Sequence, residues 1–321
     1  MFWLRDKMIR ELQIIGFLRE FLPSISNKSI DDVFLFFKNL AKKDDFNSLY
    51  ILNYLHKFIC SNEVSKRKSS ARELEDFIAT LFKGEITDSK ARSNEVFEIS
   101  DYFSNVKDII ASNKREKADI LFKSYALSIK TLILKNAELN MGSFEKRVLF
   151  DGLGLDGFLS ERKSASGIGL GSSSQLQKLI EVINLNEKLN KFFEKFLKMS
   201  EFVFSDDLLV AIKENHRISL YFFSGYEFNK IVESHLSKER FCELFTRYEG
   251  NSLRIKKDSI LKHCDKKVVL EFERLNGSVL DDINRFDLEL HRAYTRYFNG
   301  DLAQKERIVN ELKRVFCGFR Y

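Results

Sequence analysis

The sequence predicts an α/β (α+β) fold in which helices flank a central mixed β-sheet, with a helical N-terminal region and a mostly helical C-terminal region. Apolar residues recur at helical spacing through the first 70 residues and again towards the C-terminus. Short runs rich in β-branched and aromatic residues, at 118–131 and 217–223, are typical of strands. The 321 residues include a single proline, Pro23, so long helices can continue without a proline break.

Helical spacing is clearest at the N-terminus, where residues 1–69 are predicted to form a helical region. The first apolar stripe consists of Leu4, Met8, Leu12, Ile15 and Leu18, and a second lies between residues 33 and 58. An amphipathic helix is predicted from Ser70 to Phe82, because Ser70 and Glu73 have the spacing of a capping box. Its apolar stripe, which we expect to be buried, consists of Leu74, Phe77, Ile78 and Leu81.

Charge and cysteine content restrict the class of protein. The formal net charge of +6 and the pI near 8.9 permit nucleic-acid binding without requiring it, because affinity depends on where the cations cluster. The four cysteines have no CxxC spacing, which favours reduced thiols over a zinc site or a disulfide framework. Charges recur every few residues in the N-terminal segment, so neither a signal peptide nor a membrane span is predicted, and we expect a cytoplasmic protein.

Residues 117–147 hold the strongest candidate for a functional site. Two apolar runs, Ala118–Phe122 and Ala126–Thr131, flank a polar connector and have the length of paired strands in a β-hairpin. If the turn centres on Ser124 and Tyr125, the numbers of facing residues sum to 249. The sequence therefore predicts both the hairpin and its register.

This register brings polar groups onto one face of the hairpin. It places Asp119 opposite Lys130 and Leu121 opposite Ser128, and facing residues have Cβ atoms roughly 5 Å apart. Side chains alternate along a strand, so Ser128 and Lys130 also share a face. An aspartate, a hydroxyl and a lysine are thus predicted to project together from an otherwise apolar hairpin.

The order of Asp119 and Ser128-Ile129-Lys130 resembles the pattern of the PD-(D/E)XK nucleases, the superfamily that includes most type II restriction endonucleases, with Ser128 where the usual glutamate would stand. The continuation from Glu138 to Arg147, ELNMGSFEKR, is similar to the strand-to-helix passage that often follows this hairpin in restriction enzymes. The resemblance covers about residues 70–150 well and the rest loosely. It implies a nuclease core over 70–235 and a DNA-contacting, helical C-terminal region over 236–321.

The same resemblance implies a function and its partners. It implies a sequence-specific endonuclease for double-stranded DNA that hydrolyses phosphodiester bonds with Mg²⁺. Such a restriction enzyme is expected to act as a homodimer, together with a companion DNA methyltransferase.

The implied catalytic residues are Asp119, Ser128, Lys130 and Glu75. By resemblance, Asp119, the backbone carbonyl of Ile129 and Glu75 are the metal ligands. The Lys130 ammonium would offset the negative charge that grows on the phosphate in the transition state. The alternative for Glu75 is that Glu73 caps the helix and Glu75 is merely solvated.

Ser128 departs from the usual pattern, because a hydroxyl is a poor substitute for a carboxylate. One Mg²⁺ is therefore favoured over two, unless Glu75, Glu138 or Glu145 supplies the missing charge.

Polar residues on both sides of the hairpin are candidates for DNA contacts. Asn140 lies on the polar face of a predicted strand, and Ser143 is a natural N-cap for a helix over 144–150. The segment FTRYEGNSLRI predicts two short strands about an Asn/Gly turn, with contact residues implied by resemblance to late segments of restriction enzymes. The predicted contacts are Lys117, Asn140, Ser143, Arg147, Arg247, Asn251 and Arg254. An ordinary hairpin with solvated ends is the alternative for the last three.

Two other functions stay open at this point. One is a non-catalytic nucleic-acid-binding protein, in which Asp119 and Lys130 form only a cross-strand ion pair of about 0.5 kcal/mol. A nucleotide-dependent enzyme would instead use the glycine- and serine-rich segment Gly167–Ser174. That signal is weak, since no strand is predicted before it and no Lys-Ser/Thr pair follows as in a P-loop. We expect a loop that leads into a helix over Gln175–Leu185.

Overall fold

The structure is a computed structural model that describes residues 29–60, 71–82, 84–86, 118–122, 125–143, 146–155, 163–164, 167–168, 173–249 and 252–318. The chain divides into two compact units, each assembled from separate stretches of sequence. The first unit comprises Met1–Ile133, Ala211–Leu220 and Val268–Tyr321, and the second comprises Leu134–Val210 and Tyr221–Lys267. The division into three successive segments, 1–69, 70–235 and 236–321, stays a prediction.

Both helices and strands occur along the described ranges. The helices are α1 (Ile30–Lys42), α2 (Phe46–Leu55), α3 (Ala71–Phe82), α4 (Lys146–Phe150), α5 (Ser173–Leu185), α6 (Leu189–Val203), α7 (Gly225–Glu233), α8 (Phe241–Leu244), α9 (Lys257–Leu261), α10 (Gly277–Asn299) and α11 (Leu302–Gly318), and a π-helical turn, His56–Cys60, follows α2. The strands are β1 (Glu85–Ile86), β2 (Ile120–Leu121), β3 (Ala126–Ile133), β4 (Glu138–Ser143), β5 (Lys163–Ser164), β6 (Gly167–Ile168), β7 (Asp207–Lys213), β8 (Arg217–Phe223), β9 (Phe245–Glu249), β10 (Ser252–Lys256) and β11 (Lys266–Glu271).

These elements confirm the predicted fold class, a mixed sheet flanked by helices. The larger sheet has the strand order β1-β2-β3-β7-β8-β11, a second sheet has the order β4-β10-β9, and β5 pairs with β6. The predicted helix from Ser70 and the predicted strand at 217–223 are present as α3 and β8. The first apolar stripe lies outside the described residues. None of the described helices is both long enough and apolar enough to span a membrane.

The hairpin that carries the candidate site forms with a register different from the predicted one. Ile120 pairs with Leu127 and Leu121 pairs with Ala126, so the numbers of facing residues sum to 247. The Phe122 N–H donates to the Tyr125 carbonyl at 2.9 Å, which leaves a two-residue connection at 123–124. The predicted register was wrong by two residues because the turn lies one position earlier. A shift of two keeps each side chain on its predicted face, whereas a shift of one would invert the face.

Aromatic side chains hold the helices of the first unit together. Phe36 of α1 packs edge-on against Phe82 of α3, with ring centroids 5.2 Å apart, and Tyr54 of α2 stacks on Phe77 of α3 at 5.6 Å. Pairs of this kind contribute about 0.5–1.5 kcal/mol beyond the burial of their apolar area. The predicted stripe of α3 is fully buried, and this helix packs against β3. The strand that carries Lys130 therefore has a rigid support.

A cluster of phenylalanine rings forms the core of the second unit. Phe192 and Phe196 of α6 lie 5.6 and 5.1 Å from Phe241 of α8, measured between ring centroids. Phe196 also lies 4.9 Å from Phe245, the first residue of β9. Tyr248 of the same strand is fully buried, and burial raises the pKa of its hydroxyl far above the ordinary value. This cluster packs against the apolar face of the three-stranded sheet β4-β10-β9.

The N-terminus of α7 is held by carboxylates and by a close backbone approach. The Gly225 N–H donates to Asp207 at 3.3 Å, and the Ser224 N–H donates to Asp265 at 2.6 Å. A Cβ on Gly225 would lie only 2.6–2.9 Å from the carbonyl oxygens of residues 204–206. Burial raises the pKa of Asp207, the nearby Asp206 and Asp265 carboxylates add to the rise, and the Gly225 N–H opposes it. The ionised form of Asp207 is therefore disfavoured in the folded state.

We expect Gly225→Ala to lower the free energy of unfolding by about 1–3 kcal/mol, because the added Cβ meets backbone atoms that cannot move aside. Urea unfolding followed by circular dichroism measures the loss. Gly300→Ala is the matched control, since the nearest atoms to its Cβ belong to the flexible Gln304 side chain. Equal losses for the two variants would contradict this account of Gly225.

Asp207→Asn should stabilise the protein at pH 7, since it removes a half-buried negative charge and keeps an oxygen that can accept the Gly225 N–H. A carboxyl whose pKa is raised by folding favours the folded state when protonated, and this contribution is lost as the pH rises through the folded pKa. The advantage of the variant should therefore shrink as the pH falls towards about 4. Melting temperatures at pH 4 to 8 measure it, and a constant difference would contradict the prediction.

Candidate functional site

Asp119 stands at the point where the hairpin opens. Its N–H donates to the Leu127 carbonyl at 3.0 Å, the last backbone bond before β2 begins at Ile120. Its carboxylate then reaches across to β3, where Oδ2 accepts the Ile129 N–H at 2.6 Å. A hydrogen bond to an ionised acceptor is stronger than one between neutral groups. The side chain of Asp119 thus continues the backbone ladder by one step and is fixed in position.

Lys130 contacts the same carboxylate oxygen. Its Nζ lies 3.4 Å from Oδ2 of Asp119, and each of the two side chains is 27% exposed. Along β3 the side chains of Leu127, Ile129 and Thr131 are buried, while Ser128 and Lys130 are half-exposed. Asp119, Ser128 and Lys130 therefore share one accessible face, which is the arrangement that the hairpin pattern predicts. If the observed register is extended by one residue beyond Ile120, Ser128 lies opposite Asp119 and Lys130 lies diagonally across from it.

Oxygen donors converge at this point of the hairpin. In a strand the N–H and C=O of one residue point to the same neighbouring strand. The Ile129 N–H bonds Asp119, so the Ile129 carbonyl lies on the same side of β3. Carboxylate, carbonyl and hydroxyl oxygens are the hard donors that Mg²⁺ prefers. Across the described parts of the chain, however, no group of three or more His, Cys, Asp or Glu side chains could hold a metal ion.

Glu75 lies on α3, the helix that packs against β3, and its side chain is half-buried. Glu73, the residue of the alternative capping role, is half-buried as well. The next residue, Asp76, is more deeply buried, with 6% of its surface exposed, and sequence reasoning passed over it. The role of Glu75 as a metal ligand stays a prediction.

Lys213 is a second residue that sequence reasoning missed. It ends the apolar strand β7 and is 3% exposed, although lysine is rarely buried to this extent. Burial lowers the pKa of Lys213, while the nearby Cys60 and Glu73 oppose the shift. Burial likewise raises the pKa of the Cys60 thiol to about 12. Only the tertiary contact between these segments reveals the cluster, since the sequence shows an ordinary strand with a lysine at its end.

Several of the residues predicted to contact DNA lie in the three-stranded sheet. Arg254 of β10 pairs with Asn140 of β4 on one side and with Arg247 of β9 on the other. The three side chains therefore form one row across the sheet. Glu138, considered above as a source of metal-binding charge, instead pairs with Arg247, with its carboxylate 3.0 Å from Nε.

The remaining predicted contacts are placed only in part. Ser143 is the last residue of β4 and pairs with Ser252, and α4 begins at Lys146. The role of Ser143 as the N-cap of a helix over 144–150 stays a prediction, because residues 144–145 lie outside the described part of the chain. Arg147 lies in α4, and the structure describes its backbone alone. Lys117, Asn251 and Glu145 lie outside the described residues.

The glycine-rich segment begins in a small hairpin. Gly167 pairs with Ser164, and Ile168 pairs with Lys163, so a strand does precede the glycines, contrary to the expectation. The helix that follows, α5, begins at Ser173, close to the predicted position. Residues 169–172 lie outside the described part of the chain. The nucleotide-dependent enzyme stays an untested alternative.

Comparison of the chain with protein-family models, with curated proteins and with solved structures found no significant match in any of the three. The site must therefore be interpreted from its own geometry.

Asp119→Ala should destabilise the protein by about 1–2 kcal/mol, because the Ile129 N–H loses its acceptor. Lys130→Met should cost less, about 0.5 kcal/mol, since the ion pair is partly exposed and screened. Asp119→Asn keeps an acceptor oxygen and should lie close to the wild type. Urea unfolding of the three variants gives the order, and a larger loss for Lys130→Met than for Asp119→Ala would contradict it.

Proposed function

We propose that this protein is a Mg²⁺-dependent endonuclease for double-stranded DNA, of the restriction type, and that Asp119 and Lys130 are at its active centre. The observation that supports this most directly is the pair itself. A carboxylate and an ammonium lie 3.4 Å apart on the accessible face of a hairpin whose opposite face is buried. Metal-assisted hydrolysis of a phosphodiester can use these two groups together, one to bind a hard cation and the other to offset the negative charge that grows on the phosphate.

The residues present fit a single Mg²⁺ ion better than two. The described contacts of the Asp119 carboxylate fall on Oδ2, so we assign Oδ1 and the Ile129 carbonyl to the metal. Mg²⁺ usually keeps several waters and needs few protein ligands, so the lack of a larger carboxylate cluster among the described residues is compatible with it. When bound, the ion would act as a Lewis acid towards the phosphodiester. Glu75 stays a candidate for one further ligand.

Three residues of β3 have the other roles in this proposal: charge stabilisation, positioning of Asp119 and orientation of water. Lys130 would hold its ammonium beside the scissile phosphate, where it offsets the charge that grows as water attacks phosphorus and the bond to the leaving sugar oxygen breaks. Ile129 would hold Asp119 in position through its N–H, so the carboxylate needs no reorganisation during the reaction. Ser128, half-exposed and opposite Asp119, would orient water by hydrogen bonding.

We propose action as a homodimer on a short duplex site in the cytoplasm, with a companion DNA methyltransferase that protects the host DNA. The mild basic excess of the chain is compatible with a DNA substrate.

Asp119→Asn and Lys130→Met should each reduce DNA cleavage at least 100-fold, because both retain the fold and remove one charge of the pair. The assay is linearisation of plasmid DNA and fragmentation of genomic DNA with Mg²⁺, and with EDTA as the metal-free reference. Lys230→Met is the matched control, since it removes a lysine from an exposed ion pair with Glu227 and should leave cleavage unchanged.

Undiminished cleavage by both site variants would refute the assignment. Binding of DNA without cleavage under any divalent metal would favour the non-catalytic alternative, in which the pair is only a cross-strand contact.

A further inference from the structure

The three-stranded sheet of the second unit has two chemically different faces. Leu139 and Met141 of β4, with Leu253 and Ile255 of β10, are buried on one face. Asn140, Arg254 and Arg247 stand in one row on the other face, half-exposed or exposed. The neighbouring row contains Glu138 and Lys256, which pair across β4 and β10. A sheet with one buried apolar face and several cations on its other, accessible face can bind an anionic partner through that accessible face.

The ion pair of Glu138 and Arg247 shows how this face is organised. Glu138 lies on one outer strand and Arg247 on the other, and β10 runs between them. Their 3.0 Å contact therefore passes over the central strand. The carboxylate holds the guanidinium above β10, in the region of Arg254. The guanidinium therefore lies over the middle of the sheet face. Glu138 offsets its charge in the free protein, and Arg254 and Lys256 supply the positive excess of this face.

From this row of side chains we propose that the polar face of β4, β10 and β9 is the surface that contacts duplex DNA. This inference takes its partner, DNA, from the proposed function. Arg247 and Lys256 contact backbone phosphates, and Arg254 and Asn140 face the base edges. Arginine binds phosphate or guanine through two parallel hydrogen bonds, and asparagine can do the same with adenine.

The dimensions favour DNA over RNA. Strands in a sheet lie about 4.8 Å apart, so the row from Asn140 to Arg247 spans roughly 10 Å. The major groove of B-form DNA is about 12 Å wide and exposes the base edges. The major groove of A-form RNA is deep and narrow, so side chains on a sheet cannot reach its bases.

Glu138 is a positioning residue in this arrangement, because it does not contact DNA itself and acts by holding Arg247.

The test measures binding without cleavage. The probe is a fluorescein-labelled 30-base-pair DNA duplex of mixed sequence, titrated in EDTA at several salt concentrations. Arg247→Gln and Lys256→Gln should each weaken binding about tenfold at 0.1 M salt and should each lower the salt slope by about one. Arg254→Gln should weaken binding several-fold. Lys256 is exposed, so its variant tests the surface even if an arginine variant unfolds.

Controls separate this inference from the proposed function. Arg285→Gln, which removes an exposed arginine from an ion pair with Asp282, should bind as the wild type does. Lys230→Gln, which removes an exposed lysine from an ion pair with Glu227, should also bind as the wild type does. Normal binding by all sheet variants, or tighter binding to an RNA duplex of equal length, would overturn the inference. Sheet-dependent binding without cleavage would uphold the inference and refute the nuclease.

Discussion

The hydrogen bond from the Ile129 N–H to the Asp119 carboxylate is the contact on which the interpretation of the hairpin depends. At 2.6 Å it joins the two strands one step beyond their last backbone pair. It removes rotational freedom from the aspartate and brings its oxygen to the lysine of the next position. Without it, Asp119 would be an ordinary residue at the edge of a short strand. With it, the carboxylate and the ammonium of Lys130 share a small region of one sheet face, next to the backbone of Ile129.

The position of this group depends on the packing behind it. Alternate residues of β3 are buried, and α3, with its row of buried apolar side chains, packs against the same strand. A fully buried row cannot exchange faces with a half-exposed one unless many apolar groups meet water, at about 25 cal/mol for each Å². The apolar core thus determines which side chains of β3 are accessible, and the polar pair occupies the positions that remain.

In the second unit, too, a buried apolar face leaves the polar side chains of a sheet on the accessible face, but different residues form the core. Rings contributed by α6, α8 and β9 fill the space below the three-stranded sheet, so the sheet presents its arginines on the opposite face. The high phenylalanine content, 31 of 321 residues, is explained in part by such clusters, because an edge-on ring fills a junction between a helix and a strand without introducing a polar atom. In both units, then, one buried apolar face determines where polar chemistry is possible.

Local patterns in the chain were sufficient for the fold class, for α3 and β8, and for the shared face of Asp119, Ser128 and Lys130. These features depend on the period of apolar residues, which is a property of neighbouring positions. The register was not accessible in the same way, because the alternation of apolar residues predicts the face of each side chain and does not determine the position of the turn. The shared face survived this error only because the shift was an even number of residues.

Tertiary structure alone decided which distant residues meet. The row of Asn140, Arg254 and Arg247 joins positions more than a hundred residues apart, and Glu138 pairs with Arg247 across the same sheet. The burial of Lys213 beside Cys60 and Glu73 is likewise a property of packing and not of the strand that carries it. A sequence states the period of each element, but the pairing of elements depends on the free energy of burying all their apolar faces together. That total has no local signature, so these contacts became visible only in the folded chain.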